Sequence, residues 1–141
     1  MLKFLSNHFK AKRRDIRYTI SREVLEMAIA ASRDSYPNEF IAMLGGKVSR
    51  SRVHVSELIF LPAVSGSVSA VLHTDMLPLG VRALGTIHSH PSTNFNPSLQ
   101  DLETFSKQGV VHVIIAYPYT MDSWRAYNSR GEILKLEVVD E

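Results

Sequence analysis

The 141-residue chain contains no cysteine. A thiol nucleophile, a disulfide framework and a cysteine-ligated zinc site are therefore excluded, as is the Cys-x-x-Cys half of the zinc deaminase signature. Long apolar runs are lacking too. The longest, Val110 to Tyr119, is interrupted by His112 and Pro118, and none approaches the roughly 20 residues that cross a bilayer. The first residues mix charge with scattered apolar side chains and lack the apolar core of a signal peptide. A cytoplasmic protein with no membrane contact is expected. Internal repeats and low-complexity segments are missing as well. With 45% hydrophobic and 21% charged residues, the chain reads as one globular domain large enough to bury a core.

The net charge of +2 hides an asymmetry. Residues 1–17 hold six basic side chains and one acid, Asp15, whereas the rest hold ten basic and thirteen acidic groups, net −3. The basic character belongs to an N-terminal arm over residues 1–17, ahead of a mildly acidic domain over residues 18–141. Leu2, Phe4, Leu5, Phe9 and Ile16 are interleaved with the arm's bases, so docking on the body is its ordinary reading. Nucleic-acid binding would rest on the arm alone and is disfavoured.

Helical spacing of Val24, Ala28 and Ala31, with Leu25 and Ile29 beside them, predicts a helix over 21–34 with Ser21 as its cap. Phe40 to Leu44 reads as a short strand closed by Gly45-Gly46, and Val53 to Phe60 as a second. Pro62 to Ser69 reads as a loop, Val71-Leu72 as the start of an extended piece, and Thr74 to Gly80 fits no single pattern. Val81 to His88 is a buried strand, Pro97 to Gln108 a helix, and Val110 to Ala116, Ser123 to Tyr127 and Ile133 to Val139 are further strands. This order gives a mixed α/β domain of the α+β type, with one curved sheet between helices and no regular strand–helix alternation.

The chemistry concentrates at His88-Ser89-His90-Pro91, followed by Ser98-Leu99-Gln100-Asp101. Histidines at i and i+2 on a strand point to the same side, and a carboxylate one turn into the next helix can close back on them. Two imidazoles and a carboxylate form a ligand set of catalytic zinc sites that leave a fourth position for water. Ser98-x-x-Asp101 is also a capping box in outline, which would commit Asp101 to the backbone. Asn96-Pro97 argues for a different start: proline in the first turn makes Asn96 the cap and leaves Ser98 and Asp101 free. Among the other histidines, His112 lies in an apolar strand and reads as a core residue. His54 alternates with Val53 and Val55 and is expected to face solvent. His73 with Asp75 reads as surface.

The run His88-Ser89-His90-Pro91-x6-Ser98-x2-Asp101 resembles the signature of the JAMM (MPN-plus) metalloproteases, with every fixed position filled. Glu39, between the first helix and a strand that reaches Gly45-Gly46, matches the upstream glutamate of that family. The resemblance covers residues ~18–139, the span of the strands and helices read above. It implies a curved mixed sheet flanked by helices, of cytidine-deaminase-like architecture. It also implies one Zn2+ per chain on His88, His90 and Asp101, with Glu39 as general base and then acid, and Ser98 steadying the tetrahedral intermediate. The implied activity is hydrolysis of isopeptide bonds between a ubiquitin-like modifier and lysine. The short connecting segments resemble stand-alone prokaryotic members, especially archaeal ones. Two alternatives stay open: a zinc hydrolase of a sulfur-carrier precursor or small amide, and a non-catalytic scaffold of the same fold. The sequence does not distinguish a monomer from a homodimer.

Overall fold

The computed structural model describes residues 15–60 and 83–141. The readings for the arm up to residue 14, for Pro62 to Gly80 and for the His73–Asp75 pair lie outside them. The described elements run β1 (Arg17–Ser21), α1 (Arg22–Ser35), β2 (Ile41–Val48), β3 (Arg52–Ile59), β4 (Ala83–His90), α2 (Leu99–Lys107), β5 (Val111–Ala116), β6 (Trp124–Tyr127) and β7 (Leu136–Val139). The strands form one mixed sheet in the order β6-β5-β4-β2-β3-β1-β7. This is the α+β architecture expected.

The sheet buries both faces where the site is built. On one face α1 lays Val24, Leu25, Ala28 and Ile29 against Val53, Val55, Ile87, Val113 and Ile115. On the other, Phe105 of α2 packs with Ile114 and Tyr127. The unbroken apolar run of β5 follows from this double coverage, because alternate side chains enter different clusters. Thr86, His88 and His90 project from the face of β4 opposite Ile87. Two glycines let α2 and β5 approach β4. A Cβ on Gly85 would sit 1.6 Å from the carbonyl oxygen of Val111, and Gly109 adopts φ +103° where a Cβ would sit 2.4 Å from that of Leu84. Both positions require the missing side chain.

Several expectations are corrected. β1 was not foreseen: it starts within the basic stretch, at Arg17, and pairs parallel with both β3 and β7. Gly45 and Gly46 do not close β2, which continues to Val48 through register shifts at those residues. Glycine there accommodates a bulge rather than a turn. The last strand begins at Leu136, and Ile133 forms an isolated bridge to Tyr127. His54 does not stand in solvent: it is half-buried, with Nδ1 2.8 Å from Thr19 Oγ1, because β1 brings Thr19 beside it. His112 is fully buried, as its apolar strand implied.

Candidate metal centre

β4 ends in the His88–His90 pair, and α2 carries Asp101 in its first turn. His88 Nε2 and His90 Nε2 lie 3.2 Å apart. Asp101 Oδ1 is 3.2 Å from His88 Nε2, and Oδ2 is 3.2 Å from His90 Nε2. The two histidine nitrogens thus face each other and different oxygens of one carboxylate, and one ligand atom from each of the three residues lies within 4.8 Å of the others. A tetrahedron with bonds of about 2.05 Å has edges of about 3.3 Å. The donor chemistry and the spacing therefore both suit one small divalent cation with three protein ligands. Among the described residues, this is the cluster of histidine and carboxylate groups that could hold a metal.

Neighbouring groups hold the donors in place. His90 Nδ1 donates to the carbonyl of Asn94 at 2.8 Å, so the proton the ring would give up to bind a metal is the one on Nε2, the nitrogen that faces Asp101. Partial burial pushes the Asp101 carboxyl up, but hydrogen bonds from His88 and His90 and the backbone of Ser98 together hold it well below the usual carboxylate range. The hydrogen bond to Asp101 in turn raises the His90 imidazolium above its ordinary value, against burial.

The expectation for the start of α2 is overturned. Ser98, not Asn96, is the N-cap, the helix begins at Leu99 rather than Pro97, and the capping box is complete. Ser98 Oγ accepts from the Asp101 N–H at 3.1 Å, and Asp101 Oδ2 accepts from the Ser98 N–H at 2.9 Å. The two uses of Asp101 do not compete. A carboxylate offers about four lone-pair sites, so one side chain caps the helix and still faces both histidines. Ser98 keeps its hydroxyl proton, because capping uses only its oxygen as an acceptor.

Glu39 lies in the short segment between α1 and β2. It lines a narrow cleft with Ile41, Thr86, His88, Gln100 and Asp101, floored by Phe105. Its placement is set through its neighbour: Phe40 N–H donates to Ser89 Oγ at 2.8 Å, and Ser89 N–H donates to the Phe40 carbonyl at 2.9 Å. Ser89, fully buried between the two histidines, clasps the glutamate's segment to the histidine strand. Of the five residues singled out from the sequence, Glu39, His88 and Asp101 line one cleft, and His90 and Ser98 join it through their contacts with Asp101. The sequence reading missed Thr86, Gln100 and the Asn94 carbonyl. Alternation from His88 points to Thr86; nothing in the sequence marks a backbone carbonyl.

This fold and donor set have relatives. Residues 21–127 match the model of prokaryotic homologs of the JAB domain. The chain belongs to that family. It is 38% identical over 128 residues, 86% of this chain and 79% of the relative, to a Haloferax volcanii protein named as a probable metalloprotease. A JAB1/MPN domain protein from Archaeoglobus fulgidus superposes with a TM-score of 0.69 at 40% identity, covering 86% of this chain and 98% of that one. A structure described as a JAMM metalloprotease-like zinc site in the proteasome and signalosome gives 0.69 at 37%, covering 87% and 98%. The family resemblance and the fold expected from it are both borne out.

Proposed function

We propose that this protein is a zinc-dependent isopeptidase that removes a ubiquitin-like modifier from lysine conjugates. The observation that supports it most is the cluster of His88, His90 and Asp101, whose nitrogens lie 3.2 Å from each other and from the carboxylate oxygens they face, with Glu39 lining a cleft shared with His88 and Asp101. Zinc is favoured over other cations that accept nitrogen and oxygen donors because the related JAMM structure is described as a zinc site. Zinc held by three protein ligands acidifies water to a pKa of about 7 and polarises a carbonyl.

The chain's own residues supply the rest. Glu39 is exposed at the cleft mouth, and its carboxylate takes the proton of the attacking water and returns it to the leaving nitrogen. The Ser98 hydroxyl donates to the oxygen that gains charge as the carbonyl becomes tetrahedral, an effect worth ~3 kcal/mol in comparable sites. The cleft between Glu39 and α2 is narrow, which suits an extended tail ending in glycines, where backbone must approach the ligands closely. No helix of the described residues is long and apolar enough to cross a membrane, which agrees with the cytoplasmic location we assign to conjugate and enzyme.

The test is zinc-dependent cleavage of modifier conjugates, with product masses locating the cut. Glu39→Gln is expected to bind zinc as wild type does and to lose at least about a hundredfold in kcat. Wild-type activity in that variant would remove Glu39 from its role. Activity confined to small amides would replace the isopeptidase reading with a small-amide hydrolase, and protein that binds no zinc would support the scaffold alternative.

A further inference from the structure

Three tyrosines gather beside the metal centre, and none belongs to the donor set. Tyr36 ends α1, three residues before Glu39. Tyr117 and Tyr119 follow β5 directly. The rings form a closed cluster: Tyr36 to Tyr117 is 5.6 Å between centroids, Tyr36 to Tyr119 is 6.0 Å and Tyr117 to Tyr119 is 5.7 Å. Their positions are tied to the site's backbone. The Tyr119 hydroxyl donates to the carbonyl of His90 at 3.3 Å, and the Tyr117 N–H donates to that of Ser92 at 2.9 Å.

The cluster has an inside and an outside. Tyr119 is 2% exposed, whereas Tyr36 is 50% and Tyr117 45% exposed. A buried ring braced on a ligand's carbonyl thus backs two rings that face solvent. Paired exposed aromatic rings held rigidly from behind are a common recognition surface, because they give large contact area at little cost in side-chain entropy.

We propose that Tyr36 and Tyr117 form the subsite for the amine side of the scissile bond, receiving the alkyl stem of the conjugated lysine. This rests on the isopeptidase reading. The argument is the contrast between the two flanks of the centre. On the α2 flank the cleft is narrow and lined by Thr86, Gln100 and Thr104, which suits a thin extended backbone. On the other flank lies an open aromatic platform. A lysine stem is a flexible apolar chain that packs along ring faces. After hydrolysis it ends in an ammonium, which those faces and the nearby Glu39 carboxylate attract. The platform thus holds the leaving group on the side from which Glu39 delivers its proton.

The experiment uses the full chain loaded with zinc and two substrates with the same modifier tail. One is amide-linked to a lysine side chain in a peptide, the other to ethylamine, and kcat and KM are measured for both. In the Tyr36→Ala/Tyr117→Ala variant the preference for the lysine conjugate is expected to fall about tenfold, mainly through KM. The Phe/Phe variant should restore it. Affinity of the lysine conjugate for the Glu39→Gln protein should weaken in parallel when the Ala pair is added, a readout that needs no turnover. An unchanged preference, or equal losses on both substrates, would overturn the platform and leave the isopeptidase reading standing. Failure of the wild-type protein to cleave either substrate would overturn both.

Discussion

The two helices both begin after a serine, yet they do different jobs. α1 buries Val24, Leu25, Ala28, Ile29 and Ser32 against the sheet, and Ser21 makes no side-chain capping hydrogen bond. α2 buries Phe105 alone, and its start is locked by reciprocal Ser98–Asp101 hydrogen bonds. A helix with a wide apolar stripe is held by packing and has little need of a cap. A helix with one buried side chain depends on its ends. In this protein the carboxylate that caps the start of α2 also faces both histidines of the candidate metal cluster, so local helix stability and the site are coupled at Asp101.

The strongest way to break this contrast is to exchange the first-turn acids. Asp101→Asn removes a charged donor that faces both histidines, and should lower metal affinity sharply and kcat/KM by about a thousandfold or more. The matching change in α1, Glu23→Gln, touches an exposed acid in the first turn and should leave both within about twofold. Chelator competition and kinetics on the two variants check the pair. Wild-type metal affinity in Asp101→Asn would remove Asp101 from the centre.

The next test addresses how α2 is anchored. Phe105 stacks on His112 at 4.3 Å with the ring planes 15° apart. His112 Nδ1 lies 2.7 Å from Thr86 Oγ1, and Nε2 lies 3.2 Å from the Gly109 carbonyl. Burial pushes the His112 imidazolium down to about 4 from 6.5. Its folded pKa is therefore below its unfolded one. The unfolded chain takes up the proton first as pH falls, so the stability it contributes is complete above pH 6.5 and is lost between there and about 4. The full window amounts to ~3 kcal/mol. His90, raised by Asp101, acts with the opposite sign: its contribution is present below its unfolded pKa of ~6.5 and fades at higher pH. The expected result, from denaturant unfolding of chelated protein, is a steep loss between pH 6.5 and 4 in wild type and a much flatter one in His112→Gln. Parallel pH curves for the two would show that His112 does not carry the acid sensitivity.

The legible and illegible parts of this chain differ in kind. Elements with one strong period were readable: the stripe of α1, the apolar run of β5, and β4 running into histidines that must share a face. The His88, His90 and Asp101 cluster was also readable, whereas Glu39, which lines the same cleft, came from family resemblance and not from spacing. What escaped was set by tertiary partners. β1 is a five-residue strand with a charged start, RYTIS, and it is a strand because β3 and β7 flank it. The cap of α2 was misplaced because Asp101 was treated as serving one partner, when its two oxygens serve three. The tyrosine cluster joins residues some eighty positions apart, and the Ser89–Phe40 clasp joins residues 49 apart. No local pattern announces either.

The smallest expected effect separates the two serines most directly. Ser98→Ala removes an N-cap acceptor, which should cost about 1 kcal/mol of unfolding free energy. It also removes the hydroxyl proposed to face the developing oxyanion, and should lower kcat by about ten- to a hundredfold. Ser21→Ala removes no capping hydrogen bond and should change stability by a few tenths of a kcal/mol, with kcat unaltered. The two roles of Ser98 can then be parted with Ser98→Asp. Aspartate caps as well as serine, but when ionised it only accepts hydrogen bonds. Stability should return to near wild type while kcat stays low, with metal content measured on the same samples. Full recovery of kcat in Ser98→Asp would mean that Ser98 acts on catalysis only by holding the start of α2, and with it Asp101, in place.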